Sequence, residues 1–237
     1  MFLYFMFKFN VSFCNHCPLV DRSVERSKGR KRIFDWTSVM KFIGENTEVV
    51  GEQSLTPELR LRLFTPSCRF WTERPELWPY EDPYWAIYWP GGQALSRFLL
   101  DHPAVCRGQT VLDLGSGCGA SAIAAILCGA AHVVANDIDP MAAVATHMNS
   151  ELNGLQPPVC LTHNIMSLAT SLHSWLNRCM ETHGTKVLIG DPGRAQFEEH
   201  AIRRLLRPLA QFELPDSVRE ENYGLSCSGV WSYTPEL

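Results

Sequence analysis

A short apolar run followed at once by closely spaced glycines is the sequence feature that most restricts the fold of this chain. Val111–Leu114 has the composition of a buried strand, and Gly115, Gly117 and Gly119 follow it directly before a helical stretch begins. Glycines at such a turn allow unusual backbone conformations and let a ligand approach the main chain closely. The letters satisfy G-x-G-x-x-A, a fingerprint of α/β domains that bind nucleotide cofactors.

Alternating strand and helix patterns surround this turn and predict a Rossmann-like α/β fold with a mixed, doubly wound sheet. The predicted strands are Thr110–Leu114, His132–Asp137, Val159–His163 and Lys186–Gly190. The predicted helices are Gly91–Asp101, Ala120–Leu127, Met141–Asn153, Leu168–Met180 and Phe197–Gln211. The stretch Phe212–Tyr233 predicts an antiparallel hairpin that closes the sheet edge.

The residues that precede this alternating region are expected to form a cap. Asp35–Glu45 and Thr56–Phe64 have the patterns of short helices, the second opened by a Thr-Pro pair that suits a helix start. Phe70–Pro90 is dense in aromatic residues and prolines, which predicts a packed loop bordering a pocket. We assign residues 34–237 to a single domain, because the chain is long enough for one sizeable core.

The first 33 residues differ in composition and are assigned to an N-terminal extension. Residues 1–13 are apolar with Lys8 as their one charge, and a basic cluster follows between Arg22 and Arg32. A secretory signal would place positive charge first, and a membrane-spanning helix needs about 20 apolar residues. We therefore expect no membrane span. Two interpretations stay open for the extension, a mitochondrial presequence and a disordered tail.

Charge and cysteine content restrict the partners. The formal net charge is -4 and the domain has no basic block, so we expect a protein or small molecule as partner and not nucleic acid. The nine cysteines are scattered, and several lie in apolar runs, as buried thiols in a reducing compartment do. Cys14 and Cys17 have CxxC spacing, but no second pair follows at a zinc-like distance, so we expect no metal.

An acidic residue in the strand bears on the choice of cofactor. Asp113 stands two residues before Gly115, where its carboxylate would repel the pyrophosphate of a nicotinamide dinucleotide. The same charge would favour the ammonium and sulfonium groups of S-adenosylmethionine. The sequence therefore favours the methyl donor over the dinucleotide.

Side chains at the ends of the next two strands are candidates for the remaining cofactor contacts. Asp137 lies 24 residues after Asp113, close to the interval of an acid that binds ribose hydroxyls. Asp139 and Pro140 suit the cap and first position of a helix, which leaves Asp137 for the ribose. Asn164 could pair with the adenine amino group, and it could equally be a turn residue.

Several longer motifs agree in order and spacing with a known family. They are Asp82–Leu99, Val111–Ala120, Ala135–Pro140 and Val187–Arg194. From about Phe34 to Tyr233 the chain resembles the electron transfer flavoprotein beta subunit lysine methyltransferases, which belong to the seven-strand, S-adenosylmethionine-dependent superfamily.

The resemblance implies a fold, a substrate and a compartment. It implies methyl transfer to lysine side chains of that flavoprotein subunit, in the mitochondrial matrix or else in the cytoplasm. It also places Asp113, Gly115, Gly117, Gly119 and Asp137 in the cofactor site. Trp89 would line the site too, unless it serves only in packing.

The chain departs from this family at the fourth strand of the sheet. That strand lies beside the first one and ends in an acidic-aromatic motif of the Asp-x-x-Tyr kind, close to the acceptor nitrogen. Only the twenty residues Ile165–Gly184 separate Asn164 from Thr185, the residue before the next strand, and one helix takes up most of them. A stretch of about twenty residues is therefore missing, because a strand and its connections need at least that many.

The missing stretch allows two predictions for the arrangement of the sheet. It leaves no residue that we can predict to be catalytic. Either the central strand is missing from the sheet, or Lys186–Gly190 moves into its place and brings Asp191 to the acceptor edge. Three functional hypotheses follow: an active protein-lysine methyltransferase, a catalytically impaired or inactive variant of that enzyme, and a nicotinamide-dependent oxidoreductase.

Overall fold

The computed structural model describes residues 4–9, 34–74, 77–80, 83–162, 172–222 and 224–234. The strands are β1 (Tyr4–Phe9), β2 (Glu48–Val50), β3 (Leu61–Leu63), β4 (Thr110–Leu114), β5 (His132–Asn136), β6 (Val159–Leu161), β7 (Lys186–Asp191), β8 (Leu206–Glu213) and β9 (Cys227–Tyr233). The helices are α1 (Trp36–Asn46), α2 (Arg69–Thr72), α3 (Pro90–Asp101), α4 (Ala120–Leu127), α5 (Pro140–Leu152), α6 (Leu172–His183), α7 (Ala195–Glu198) and α8 (Asp216–Glu221). Short 3-10 turns lie at Tyr84–Ala86, Pro103–Val105 and Ala201–Leu205.

Seven of the strands form one mixed sheet in the order β6-β5-β4-β1-β7-β9-β8. The strands β4, β5 and β6 are parallel, and β7, β9 and β8 are antiparallel to their neighbours. This arrangement confirms the predicted α/β fold with parallel strands and an antiparallel hairpin at one edge. No helix of the described segments is long and apolar enough to cross a membrane.

The central position of the sheet is filled by β1. This strand pairs antiparallel with β4 on one side and with β7 on the other. The described segments contain no parallel strand between β4 and β7, as the short Ile165–Gly184 connection predicted. The alternative in which Lys186–Gly190 moves next to β4 is wrong, because β1 lies between them. Tyr4–Phe9, from the N-terminal extension, is thus part of the sheet.

Two predicted helices contain strands in the structure. Within the predicted helix Thr56–Phe64, the segment Leu61–Leu63 is a strand that pairs with β2. Leu61 and Leu63 are buried and Arg62 between them is less so, which is the alternation of a strand and not of a helix. In Phe197–Gln211, only α7 and a 3-10 turn are helical before β8 begins at Leu206. Pro208 interrupts helical hydrogen bonding, and pairing with β9 satisfies this backbone instead.

Apolar side chains cover both faces of the sheet. Val111 and Leu188 pack with Leu95 and Ile123, from α3 and α4, on one face. Leu112 and Ile189 pack with Leu176, from α6, on the other face. This alternation along β4 and β7 is typical of strands buried on both sides.

The helix α3 lies unusually close to β7. A Cβ atom on Gly190 would come within 2.1 Å of the Gly91 carbonyl oxygen, so only glycine fits at this crossing. The close contact fixes the first turn of α3 near the carboxyl end of the sheet. The predicted helix Gly91–Asp101 is confirmed and begins one residue earlier, at Pro90.

The cap consists of α1, the β2–β3 pair and the aromatic segment. Asp35 accepts hydrogen bonds from the Thr37 and Ser38 amides and so begins α1. The apolar face of α1, with Val39 and Ile43, packs against α5. The aromatic residues Phe42, Phe64, Phe70, Trp78, Tyr80 and Trp85 enclose a cavity of about 10 Å³, which is room for about one water. This cavity lies within the predicted loop Phe70–Pro90, and the larger pocket that the loop should border stays a prediction.

Candidate cofactor site

The glycine turn joins β4 to α4 as the sequence predicted. Gly115, Gly117 and Gly119 have φ angles of 75°, 51° and 82°, which side-chain-bearing residues rarely adopt. The amides of Gly115 and Ser116 donate to the Asn136 carbonyl oxygen at 2.8 and 3.0 Å. These bonds hold the turn at the carboxyl end of β5.

Two polar residues of α5 support the loop from behind. A Cβ atom on Gly119 would lie 2.7 Å from Oγ1 of Thr146. The Asn149 side-chain amide donates to the Cys118 carbonyl oxygen at 2.8 Å. Sequence reasoning missed both residues, although polar side chains three positions apart on the buried face of a predicted helix were a usable signal.

Asp137 lies across the loop from β4. Its Oδ2 accepts the Gly117 amide at 2.8 Å, and its Oδ1 accepts the Asp139 amide at 3.1 Å. Burial raises the pKa of this carboxyl above its ordinary value. Asp139 accepts the Met141 amide at 2.8 Å and Pro140 begins α5, which confirms the predicted cap. The structure therefore brings Asp137 together with the glycine loop.

Asp113 is fully buried next to this loop, and in the described part of the chain neither carboxylate oxygen accepts a hydrogen bond of good geometry. Burial raises the pKa of Asp113 to about 7; the backbone amide of Ala122 opposes this rise, and the nearby Asp137 carboxylate adds to it. An unpaired buried carboxylate is unfavourable unless a cation or donor compensates it. The site therefore fits a ligand that carries positive charge and not one that carries a pyrophosphate.

The aromatic segment approaches the loop through Trp85. Its Cα lies 3.8 Å from the point that a Cβ on Gly117 would occupy. Trp89 caps α3, and its indole N–H donates to the Tyr84 carbonyl oxygen at 3.0 Å. The indole N–H is thus occupied, and a cofactor contact through the ring of Trp89 stays a prediction. His163 and Asn164, with its predicted adenine contact, lie outside the described residues.

Asp191 ends β7 at the same edge of the sheet. Its carboxylate accepts the amides of Gly193 and Arg194 at 2.8 and 3.0 Å, and it also binds the Arg194 guanidinium. These contacts occupy a buried carboxylate completely. The described residues contain no group of His, Cys, Asp and Glu that could hold a metal ion.

The chain is similar to known methyltransferases. Residues 93–173 match the family model of ribosomal protein L11 methyltransferases, PrmA. The chain is 62% identical to the electron transfer flavoprotein beta subunit lysine methyltransferase of Danio rerio over 214 residues, which covers 82% of this chain and 83% of the relative. It is 48% identical to the Homo sapiens protein of the same name over 252 residues, with 93% and 96% covered.

The same alignments contain more of the relatives than of this chain. The Danio rerio alignment runs over 214 residues, whereas 82% of the 237 residues here is about 194, so about 20 positions have no counterpart in this chain. This number is close to the length that the spacing between Asn164 and Lys186 indicated as missing; the Homo sapiens alignment leaves more, about 32 positions, since 93% of 237 is about 220 of its 252.

The identity and coverage of these relatives decide the family. The nicotinamide-dependent oxidoreductase hypothesis is excluded, because these relatives are named as lysine methyltransferases and the buried Asp113 disfavours a pyrophosphate. The cofactor is S-adenosylmethionine. The chain belongs to the electron transfer flavoprotein beta subunit lysine methyltransferase family.

Proposed function

We propose that this chain transfers methyl groups from S-adenosylmethionine to lysine side chains of the electron transfer flavoprotein beta subunit. The observation that carries the proposal is its similarity to lysine methyltransferases named for that substrate, together with the intact loop that Asp113 and Asp137 flank. When bound, S-adenosylmethionine supplies an electrophilic methyl group on a positively charged sulfur.

The described residues would hold the cofactor by three kinds of contact. The main chain at Gly115 and Gly117 lets the ligand approach the turn, because no side chain stands in the way. Asp113 would lie close to the positive charge of the methionine portion and gain the cation that it lacks. Asp137 would exchange its bonds to backbone amides for bonds to ribose hydroxyls.

The acceptor lysine must lose its proton and align with the methyl group before transfer. In the family, the acidic-aromatic motif of the fourth strand would orient this nitrogen. Asp191 does not replace that motif, because its oxygens are occupied by Gly193 and Arg194. The chain would thus depend mainly on proximity and alignment, and we expect it to be slower than its longer relatives.

The experiment is methylation of the purified flavoprotein beta subunit, followed by mass spectrometry of its lysine-containing peptides. We expect a mass increase of one or more methyl groups that depends on S-adenosylmethionine. Asp137→Ala should abolish the increase, and Asp139→Asn should retain it, because asparagine still caps α5. Methylation that is unchanged in Asp137→Ala would contradict the assigned role of that carboxylate.

A second candidate function is cofactor binding without transfer. The absence of a parallel strand between β4 and β7 in the described segments favours it, because the acceptor-orienting motif belongs to that strand. Saturable binding of S-adenosylhomocysteine without methylation of the subunit would support this candidate over the first.

We further propose that the protein works where its substrate is found, in the mitochondrial matrix. The support is the family resemblance and the acid-poor, basic composition of the extension. Fractionation of cells that express the chain with a C-terminal tag tests the proposal. Recovery of the tag in the cytoplasm would contradict it.

A further inference from the structure

The central strand of the sheet comes from a part of the chain far from its neighbours. In β1, Phe5 is in register with Leu114 of β4 and with Ile189 of β7. Five positions of β1 pair with each neighbour, from Phe5 to Phe9 on one side and from Tyr4 to Lys8 on the other. The strand thus spans nearly the full height of both neighbours.

The two neighbours need such a partner. Without β1, the facing edges of β4 and β7 would each present unpaired backbone N–H and C=O groups inside a domain covered by α3 and α6. Buried backbone groups in folded proteins are almost always paired, because an unpaired one loses its hydrogen bonds to water and gains none in return. A gap at this position would therefore destabilise the domain far more than the loss of an edge strand would.

The sequence of β1 suits a strand that is covered on both faces. Tyr-Phe-Met-Phe-Lys-Phe contains one charge, and the core clusters of the sheet lie on both sides of the strands that flank it. Lys8 is in register with Val111 and with the exposed Lys186, near the amino end of both neighbours. The one charged position thus lies near the amino ends of β4 and β7 and not halfway along these strands.

We propose that Tyr4–Phe9 is a self-complementing strand that replaces the central strand missing from this chain, and that the domain binds cofactor only while this strand is in the sheet. The proposal does not rest on the substrate or on methyl transfer. It has a consequence for processing: removal of the 33-residue extension as a presequence would remove the centre of the sheet. Any processing of the N-terminus must therefore leave Tyr4–Phe9 in the mature protein.

The antiparallel direction of β1 changes which chain segment lies beside the glycine loop, at the carboxyl end of β4. A parallel strand would end at this edge and continue into a loop, as β4 does at Gly115. The antiparallel β1 begins there, with Tyr4 in register with Gly190, and ends at the opposite edge with Phe9 beside Thr110. The chain therefore enters the sheet next to the cofactor loop, and no strand-to-helix loop follows β1 there.

Cysteine cross-linking in the full chain tests the pairing directly. Lys8→Cys combined with Lys186→Cys places two thiols at paired positions of an antiparallel ladder, within reach of a disulfide. Lys8→Cys with Val187→Cys is the matched control, since its partner is shifted by one residue to the other face. We expect the linked peptide, identified by mass spectrometry, only in the first variant. Equal linkage in both, or in neither, would overturn the proposal.

Truncation and complementation test the dependence of cofactor binding. A chain without residues 1–9 should melt without cooperativity and should not bind S-adenosylhomocysteine in a calorimeter. A synthetic peptide of residues 1–12, added during refolding, should restore both properties. Phe7→Pro in the full chain should lose binding, because proline cannot donate in a central ladder, and Ser27→Pro outside the strand should retain it. Cooperative melting and normal binding of the truncated chain would refute the idea.

Discussion

Replacing Gly119 by alanine should destabilise the protein through two separable effects. The first is the φ angle of 82°, which costs a residue with a side chain about 1–2 kcal/mol. The second is the contact of the new Cβ at 2.7 Å from Thr146, and such overpacking costs about 1–3 kcal/mol. The expected loss of unfolding free energy is the sum, about 2–5 kcal/mol.

Gly129 offers a control that isolates the second effect. It has the same φ angle of 82°, but a Cβ there would meet only Arg107 Cγ, at 3.7 Å. Gly129→Ala should therefore show the backbone cost alone. For a domain of this size, the difference of about 1–3 kcal/mol corresponds to a melting temperature about 3–9 °C lower for Gly119→Ala.

The assay is thermal and urea denaturation of both variants, with and without Thr146→Ala in the Gly119→Ala background. Removing the threonine side chain should recover part of the loss for Gly119→Ala, because the space for Cβ is then free. Equal destabilisation by Gly119→Ala and Gly129→Ala would refute the argument that α5 packs against the loop.

Three further changes probe the same region. Asp113→Asn removes a carboxylate whose pKa is raised by burial from the ordinary 3.8 to about 7. At pH values between 3.8 and 7, the folded state binds a proton that the unfolded state has lost, so the stability of the parent protein falls as pH rises. The variant without cofactor should therefore be more stable than the parent above pH 7 and equal to it below about pH 4, while S-adenosylmethionine binds about tenfold or more weakly by calorimetry. Gly190→Ala should cost about 3 kcal/mol in urea denaturation, because its Cβ would lie 2.1 Å from the Gly91 carbonyl oxygen, and unchanged stability would mean that α3 can move away. Asp139→Ala should lower stability by about 1 kcal/mol through loss of the α5 cap, and Asp139→Ser should not, unless the cap contributes nothing.

Local patterns sufficed for the cofactor half of the fold. β4 and α4 have the predicted limits, and the strand, glycine turn and helix around them depend on residues adjacent in sequence. The role of Asp139 was predictable for the same reason, since a capping carboxylate and its proline are neighbours. The polar pattern of α5 could have marked Thr146 and Asn149, but it does not identify the loop, about 30 positions away in sequence, as their partner.

The strands that sequence reasoning missed are those whose partners decide their structure. β8 contains Pro208, which disfavours a helix, and it becomes a strand because β9 supplies its hydrogen bonds. β1 is apolar and precedes a basic cluster, which is also the composition of a targeting segment, and nothing near it in sequence indicates pairing with Leu114 or Gly190. The spacing after Asn164 indicated that a stretch is missing, but it did not indicate that β1 takes the place of the missing strand.

The position of β1 also has a consequence for how the protein is made. The strand leaves the ribosome long before either neighbour, and Gly190 is synthesised 186 residues after Tyr4. Pairings between such distant residues close large loops and slow folding. During that delay, an aromatic segment without proline or glycine is exposed, and such segments associate readily with one another. Chaperones that hold apolar segments during translation would therefore govern how much of this enzyme reaches its native state.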